Sequence, residues 1–167
     1  MARDFTDRLI QRLGDVRPDL EVSHLQVPAR LSRIGQHIAV RQEEVFGRLG
    51  LNRGEVGVLS ALRVSGPPHR LSPTLLGRGL MLSSAGVTSR LDRLERRGLL
   101  VRLPDPADRR GVIVELTDQG LEIVDQAIAA NLASDRQLLA ALDPEEVGAL
   151  EGLLRKLLAG LELPQVD

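Results

Sequence analysis

Apolar positions recur at three- and four-residue spacing along most of the chain, which predicts a series of amphipathic helices. Phe5, Leu9, Leu13 and Val16 fall on one helical face, and Gly14 and Pro18 punctuate the end of that segment. Leu31, Ile34, Ile38, Val45 and Phe46 keep the same period from Ala29 to Leu49, with Pro28 at a tolerated first-turn position. Asn52-Arg53-Gly54-Glu55 reads as a capping box opening a helix from Arg53 to Val64, after which Ser65-Gly66-Pro67-Pro68 breaks the chain. Ser72-Pro73 sets an N-cap before a proline at the first helical position, and the helix so opened runs to about Gly79. Gly77 and Gly79 each cost about 1 kcal/mol of helix stability relative to alanine, so this helix is expected to be short.

One stretch interrupts the helical rhythm. After Ser83, a natural N-cap, Val87, Leu91 and Leu94 line one face of a short helix that Gly98 stops. Leu99 to Leu103 and Val112 to Leu116 are apolar, β-branched runs joined through Pro104, Asp105, Pro106, Asp108 and Gly111, which predicts a hairpin. Leu71 is expected to pair as a short third strand beside it. Thr117 then caps a long helix carrying Leu121, Val124, Ile128, Leu132, Leu138, Leu139 and Leu142. Asp143-Pro144-Glu145-Glu146 starts a last helix with Val147, Leu150, Leu153, Leu154, Leu157, Leu158 and Leu161. So many leucines exceed what one face can bury within the chain, and a homodimer is the natural outlet.

Charge sharpens this division. Residues 83–110 hold seven arginines against four acids, whereas residues 118–167 hold ten acids against Arg136, Arg155 and Lys156. A basic middle and an acidic tail imply that one face meets a polyanion while the other does something else. With 167 residues, 43% of them hydrophobic and only two aromatic, the chain is expected to form one unit packed through aliphatic helices. The absence of cysteine excludes disulfides, thiolate metal sites and thiol redox sensing. No apolar run approaches the ~18 residues of a membrane span, and the first residues do not resemble a signal peptide, so a soluble cytoplasmic protein is expected. His24, His37 and His69 lack metal-ligand spacing, and neither a phosphate loop nor a nucleophile–base pair is present. No enzyme activity and no cofactor are therefore expected. Single-strand binding would want stacking aromatics that the chain lacks.

Leu91 to Arg102 reads L-x-R-L-x-x-x-G-L-L-x-R, Asp105 to Arg110 reads D-P-A-D-R-R, and Leu116 to Gly120 reads L-T-D-Q-G. In this order and spacing the motifs resemble the multiple-antibiotic-resistance regulator (MarR) family of winged helix-turn-helix repressors, from roughly Pro28 to Gly160. The resemblance implies a mainly α fold with a small β-hairpin wing, a winged helix-turn-helix joined to a helical dimerisation scaffold. Residues 52–116 would form the DNA-binding region, and residues 28–51 and 117–161 the dimerisation region. Residues 1–27 would be an extension, either a loosely attached arm or an extra helix on the scaffold, as in the family's urate-responsive branch. That branch's usual tryptophan is absent here, so its ligand does not carry over.

The implied function is a homodimeric, ligand-responsive repressor reading a pseudo-palindromic operator in double-stranded DNA. By resemblance, Ser84, Ala85 and Ser89 would face base edges, Gly86 and Thr88 would lie against phosphates, and Arg90 and Arg93 would reach the backbone or guanine. Ser72, Thr74 and Ser83 would flank that face. On the wing, Arg110 would enter a minor groove, Asp108 would orient it and Arg109 would meet phosphate. A small anionic or phenolic effector is the expected ligand, with His24, His37 and Arg41 as candidate contacts. The rival reading is a winged-helix scaffold or sensor that acts through protein partners without binding DNA.

Overall fold

The computed structural model describes residues 3–106, 108 and 111–162. Its helices start on side chains that cap them. Asp4 accepts the Asp7 N–H at 2.9 Å and opens α1, Phe5–Val16. A single 3₁₀ turn leads into α2, Gln26–Gly47, the one long helix without a side-chain cap. Asn52 and Glu55 form the reciprocal box at the head of α3, Arg53–Val64. Ser72 caps α4, Pro73–Gly79, and Ser83 caps α5, Ser84–Arg96. Thr117 caps α6, Asp118–Leu138, and the Asp143–Glu146 box opens α7, Pro144–Leu161.

Between α5 and α6 lies the hairpin, β2 (Leu100–Pro104) and β3 (Val112–Leu116), with β1 (Arg70–Leu71) on the far side of β3. Both pairings are antiparallel, with Leu100 opposite Leu116 and Leu71 opposite Val114. The first strand begins one residue later than its apolar run. Leu99 instead takes part in the turn, its N–H donating to Leu94 and its carbonyl accepting from Thr117. Gly98 makes that turn possible at φ +71°, a region costly for residues with a Cβ.

Leu59 and Leu62 of α3, Leu76 of α4, Leu91 and Leu94 of α5, Leu100 and Val114 of the sheet, and Val124 of α6 share one buried core. Helix α6 is pulled tightly onto the start of the hairpin: a Cβ on Gly120 would lie 1.9 Å from the Leu99 carbonyl oxygen. Only a glycine permits this approach.

The scaffold is much barer. Helix α2 rests on α6 and α3 through Phe46, yet Val27, Leu31, Ile34 and Val40 stay exposed. Among the described residues, no side chain of α7 is buried, and Leu153, Leu157, Leu158 and Leu161 are open to solvent. The extension forms a helix packed on α2, but not on the expected face. Thr6 and Ile10 are buried, whereas Phe5, Leu9 and Val16 point away. Arg30 of α2 reaches Asp4 at 2.9 Å and Asp7 at 2.7 Å, and the Thr6–Ile10 side turns inward beside these pairs. Phe5 is left under the Arg33 guanidinium, 4.3 Å from its ring centre. Gly14 does not end this helix, which continues to Val16 beside Val22. No helix among the described residues is long and apolar enough to cross a membrane.

Candidate nucleic-acid interface

Helix α5 divides cleanly. Val87, Leu91 and Leu94 are buried, while Ser84, Ala85, Thr88 and Ser89 are exposed together on the opposite side. Such small polar and methyl-bearing side chains suit contact with base edges. Ser83 spends its hydroxyl on the Gly86 N–H at 3.2 Å, and the Thr88 hydroxyl donates to the Ser84 carbonyl at 3.0 Å. Thr88 therefore presents its methyl and its lone pairs outward. Ser72 is occupied as the α4 cap, accepting from the Leu75 N–H at 3.3 Å. Thr74 is exposed on α4 and lines, with Arg78, Ser84 and Thr88, a concavity between the two helices.

Three arginines at and after the middle of α5 stand off that face, whereas Arg96, two turns beyond Ser89, is exposed on it. Arg90, Arg93 and Arg97 form a stripe turned toward the head of α3. Arg93 Nε meets Glu55 Oε1 at 3.0 Å, and Glu55, a carboxylate only 7% exposed, also receives the Asn52 N–H. Arg97 donates to the Gly50 carbonyl at 2.7 Å and lies 3.9 Å from the same carboxylate. Arg90 is half-buried and folded back on its own helix, donating to the Gly86 carbonyl at 2.9 Å. Of the arginines counted along residues 83–110, Arg90, Arg93 and Arg97 thus bond to neighbouring parts of the fold. Sequence spacing misses this because Glu55 stands 38 residues from Arg93.

A second clamp ties α5 to the wing. Arg102 on β2 reaches Asp92 at 2.6 Å and also pairs with Glu95, which accepts the Arg102 backbone N–H at 3.2 Å. At the tip, Asp105 N–H donates to Gly111 and Gly111 N–H to the Asp108 carbonyl, closing the loop. Asp108 is exposed there; Arg109 and Arg110 lie outside the described residues.

Between α2 and the winged region sits a concavity of about 620 Å³ bounded by Gln42, Glu43, Arg53, Leu80, Arg90 and Arg93. A neighbouring one is bounded by Gln42, Phe46, Ser60 and Asn131, whose side-chain oxygen is buried without a hydrogen-bond donor among the described residues. The structure does not bring the expected effector contacts here. His24, His37 and Arg41 are all exposed, and none of them borders either concavity.

A sequence profile of the MarR family matches residues 49–111. The transcriptional regulator PecS of Dickeya dadantii is 35% identical over 146 residues, spanning 87% of this chain and 88% of PecS. The multiple antibiotic resistance protein MarR of Escherichia coli K12 is 33% identical over 118 residues, 69% of this chain and 78% of its own. Among solved structures, a mutant E. coli MarR complexed with operator DNA superposes with a TM-score of 0.72 at 27% identity, covering 87% and 97% of the two chains. A MarR family regulator from Streptomyces coelicolor in complex with DNA reaches 0.77 over 89% and 93%, a likeness of fold at 24% identity. Fold and exposed helix face together define a winged helix-turn-helix transcriptional regulator. The chain belongs to the MarR family.

Proposed function

We propose that the protein acts as a homodimer whose two α5 helices enter successive major grooves of a pseudo-palindromic operator. The observation that carries this is the exposed Ser84–Ala85–Thr88–Ser89 face on a helix whose C-terminal half is clamped on two sides. Glu55 holds it to α3 and Arg102 holds it to the wing. A side-chain set of this kind discriminates bases only if its helix is held in register, and the clamps supply that rigidity. Asp108, Arg109 and Arg110 are assigned to the flanking minor groove, with Arg110 as the inserted side chain. The unburied leucines of α7 and the bare side of α2 support dimerisation, since a second copy is what would remove them from water. Two recognition helices then fall about 34 Å apart, one turn of DNA.

Control by a small anionic or phenolic molecule is the regulatory reading. The concavity holding Arg53, Arg90 and Arg93 supports it more than the exposed His24, His37 and Arg41 do. Such a ligand must favour the DNA-incompetent dimer, or it shifts nothing.

Selection from a randomised duplex pool, followed by gel shifts on the enriched duplex and a scrambled control, tests the proposal. Enrichment of an inverted repeat with half-sites one turn apart is expected. Leu153→Asp with Leu157→Asp should yield a monomer by light scattering and abolish the shift. Equal, weak binding to enriched and scrambled duplexes would instead favour a scaffold acting through proteins.

A further inference from the structure

Arg90 lies in a notch that Gly54 keeps open. Its guanidinium is laid against the first turn of α3, where a Cβ built on Gly54 would stand 2.4 Å from Nε and 3.0 Å from Nη2. No other residue type leaves room for that pose. Yet the pose is poorly rewarded. One terminal nitrogen donates to Gly86, whereas Nε is buried with no hydrogen-bond partner among the described residues, and no carboxylate pairs with the group. A buried donor without an acceptor is a standing penalty on this arrangement. Arg93 and Arg97 on the same stripe face Glu55; Arg90, nearest the exposed Thr88 and Ser89, has no such anchor.

We infer that Arg90 is a retractable phosphate contact and that Gly54 is the positioning residue that stores it. Without DNA the guanidinium is held in the notch. When a backbone phosphate arrives beside the α5 reading face, the side chain swings out, its Nε gains an acceptor, and the notch is vacated. The consequence is for affinity: every duplex that engages Arg90 must first draw it out of the notch, so storage weakens binding wherever that contact is made.

The inference rests on the DNA-reading face proposed above, and a glycine substitution tests it without threatening the fold. Gly54 sits in the first turn of α3 at an ordinary helical φ, and the atoms a new Cβ would meet are the far end of a flexible side chain. Gly54→Ala should therefore leave Tm unchanged or raise it slightly, while evicting Arg90. The experiment compares wild type, Gly54→Ala, Arg90→Ala and the double variant on the enriched and the scrambled duplex, from 50 to 200 mM salt. Gly54→Ala should tighten binding to the enriched duplex by about threefold, and to the scrambled one by as much or less, because the cation is already extended. Arg90→Ala should flatten the salt slope by ~0.9 per arginine, so a dimer loses roughly twelvefold less affinity across that range. In the Arg90→Ala background, Gly54→Ala should change nothing.

A Gly54→Ala effect that persists without Arg90, or weaker binding on eviction, would overturn the inference. So would an unchanged salt slope in Arg90→Ala. Failure of wild type itself to prefer the enriched duplex would instead strike the DNA-reading proposal, so the two are separable.

Discussion

Glu55 and Arg93 join the first helix of the DNA reader to its recognition helix by a 3.0 Å contact between a buried carboxylate and a half-exposed guanidinium. The same carboxylate completes the α3 capping box, so its loss removes two restraints at once. Glu55→Ala should cost about 2 kcal/mol in urea unfolding, and Glu55→Gln less, because the amide oxygen still accepts the Asn52 N–H. Arg93→Ala should cost about 1 kcal/mol, discounted because that side chain is half in water and Arg97 stays close by. Three variants indistinguishable from wild type would show that the clamp holds nothing.

Gly120 is the second stability determinant. Adding a methyl there drives it into the Leu99 carbonyl, a backbone atom that cannot step aside without breaking the turn between α5 and β2. Gly120→Ala should lower stability by about 3 kcal/mol or more, at the severe end for a single methyl. Thermal melts of wild type and variant decide it; a Tm within a degree of wild type would refute the close packing of α6 on the hairpin.

Reading and flanking contacts should separate. Ser89→Ala is expected to alter discrimination at one or two operator positions by ~1–3 kcal/mol. Arg110→Ala should weaken binding and relax preference for A·T-rich flanks, since a minor-groove arginine senses width rather than base identity. Asp108→Ala should resemble a milder Arg110→Ala. Affinities for a matched operator set at fixed salt make the comparison, and unchanged flank preference in Arg110→Ala would reduce the wing to a turn.

The capped start of α1 should loosen in acid, and its docking through Arg30 with it. Asp4 and Asp7 are held below the usual aspartate value of 3.8, chiefly because each accepts a backbone N–H from the other's residue, with Arg30 adding to it. Native partners that favour the ionised form stabilise the helix start fully above that value and lose hold as pH falls through the lowered native ones. Hydrogen exchange, corrected for intrinsic rates, should show α1 amides protected at pH 6 and progressively exposed below pH 4. Asp7→Asn should blunt the change, whereas constant protection down to pH 3 would exclude this origin.

Local signals proved the most legible part of the chain. Helices α3, α4 and α7 and strand β3 occupy the spans that their caps and apolar runs mark, because a cap acts within four residues of itself. The face of α1 was not legible. Phe5, Leu9, Leu13 and Val16 offer the one apolar side that spacing marks, whereas Thr6 and Ile10 are the buried pair, on the side where Arg30 of a different helix meets Asp4 and Asp7. For the same reason the arginines of α5 could be counted but not placed. Their partners at Glu55 and Gly50 lie far back in the chain, so a run that looks like bare positive charge is partly internal bonding. The glycine of L-T-x-x-G could be recognised in the motif, while its steric reason appeared only once α6 lay on Leu99.

The Arg102 clamp makes the recognition helix and the wing a single caliper jaw. Asp92 and Glu95 grip the base of β2, so neither the reading face nor the hairpin can be re-aimed without the other. A protomer of this kind measures a fixed width of half-site. In the proposed dimer, any slack in the distance between half-sites would then come from outside the jaw, at the 139–143 junction between α6 and α7 or within the pairing of two α7 helices. Inserting a base pair at the operator centre would therefore load the scaffold while each half-site contact pattern stayed intact.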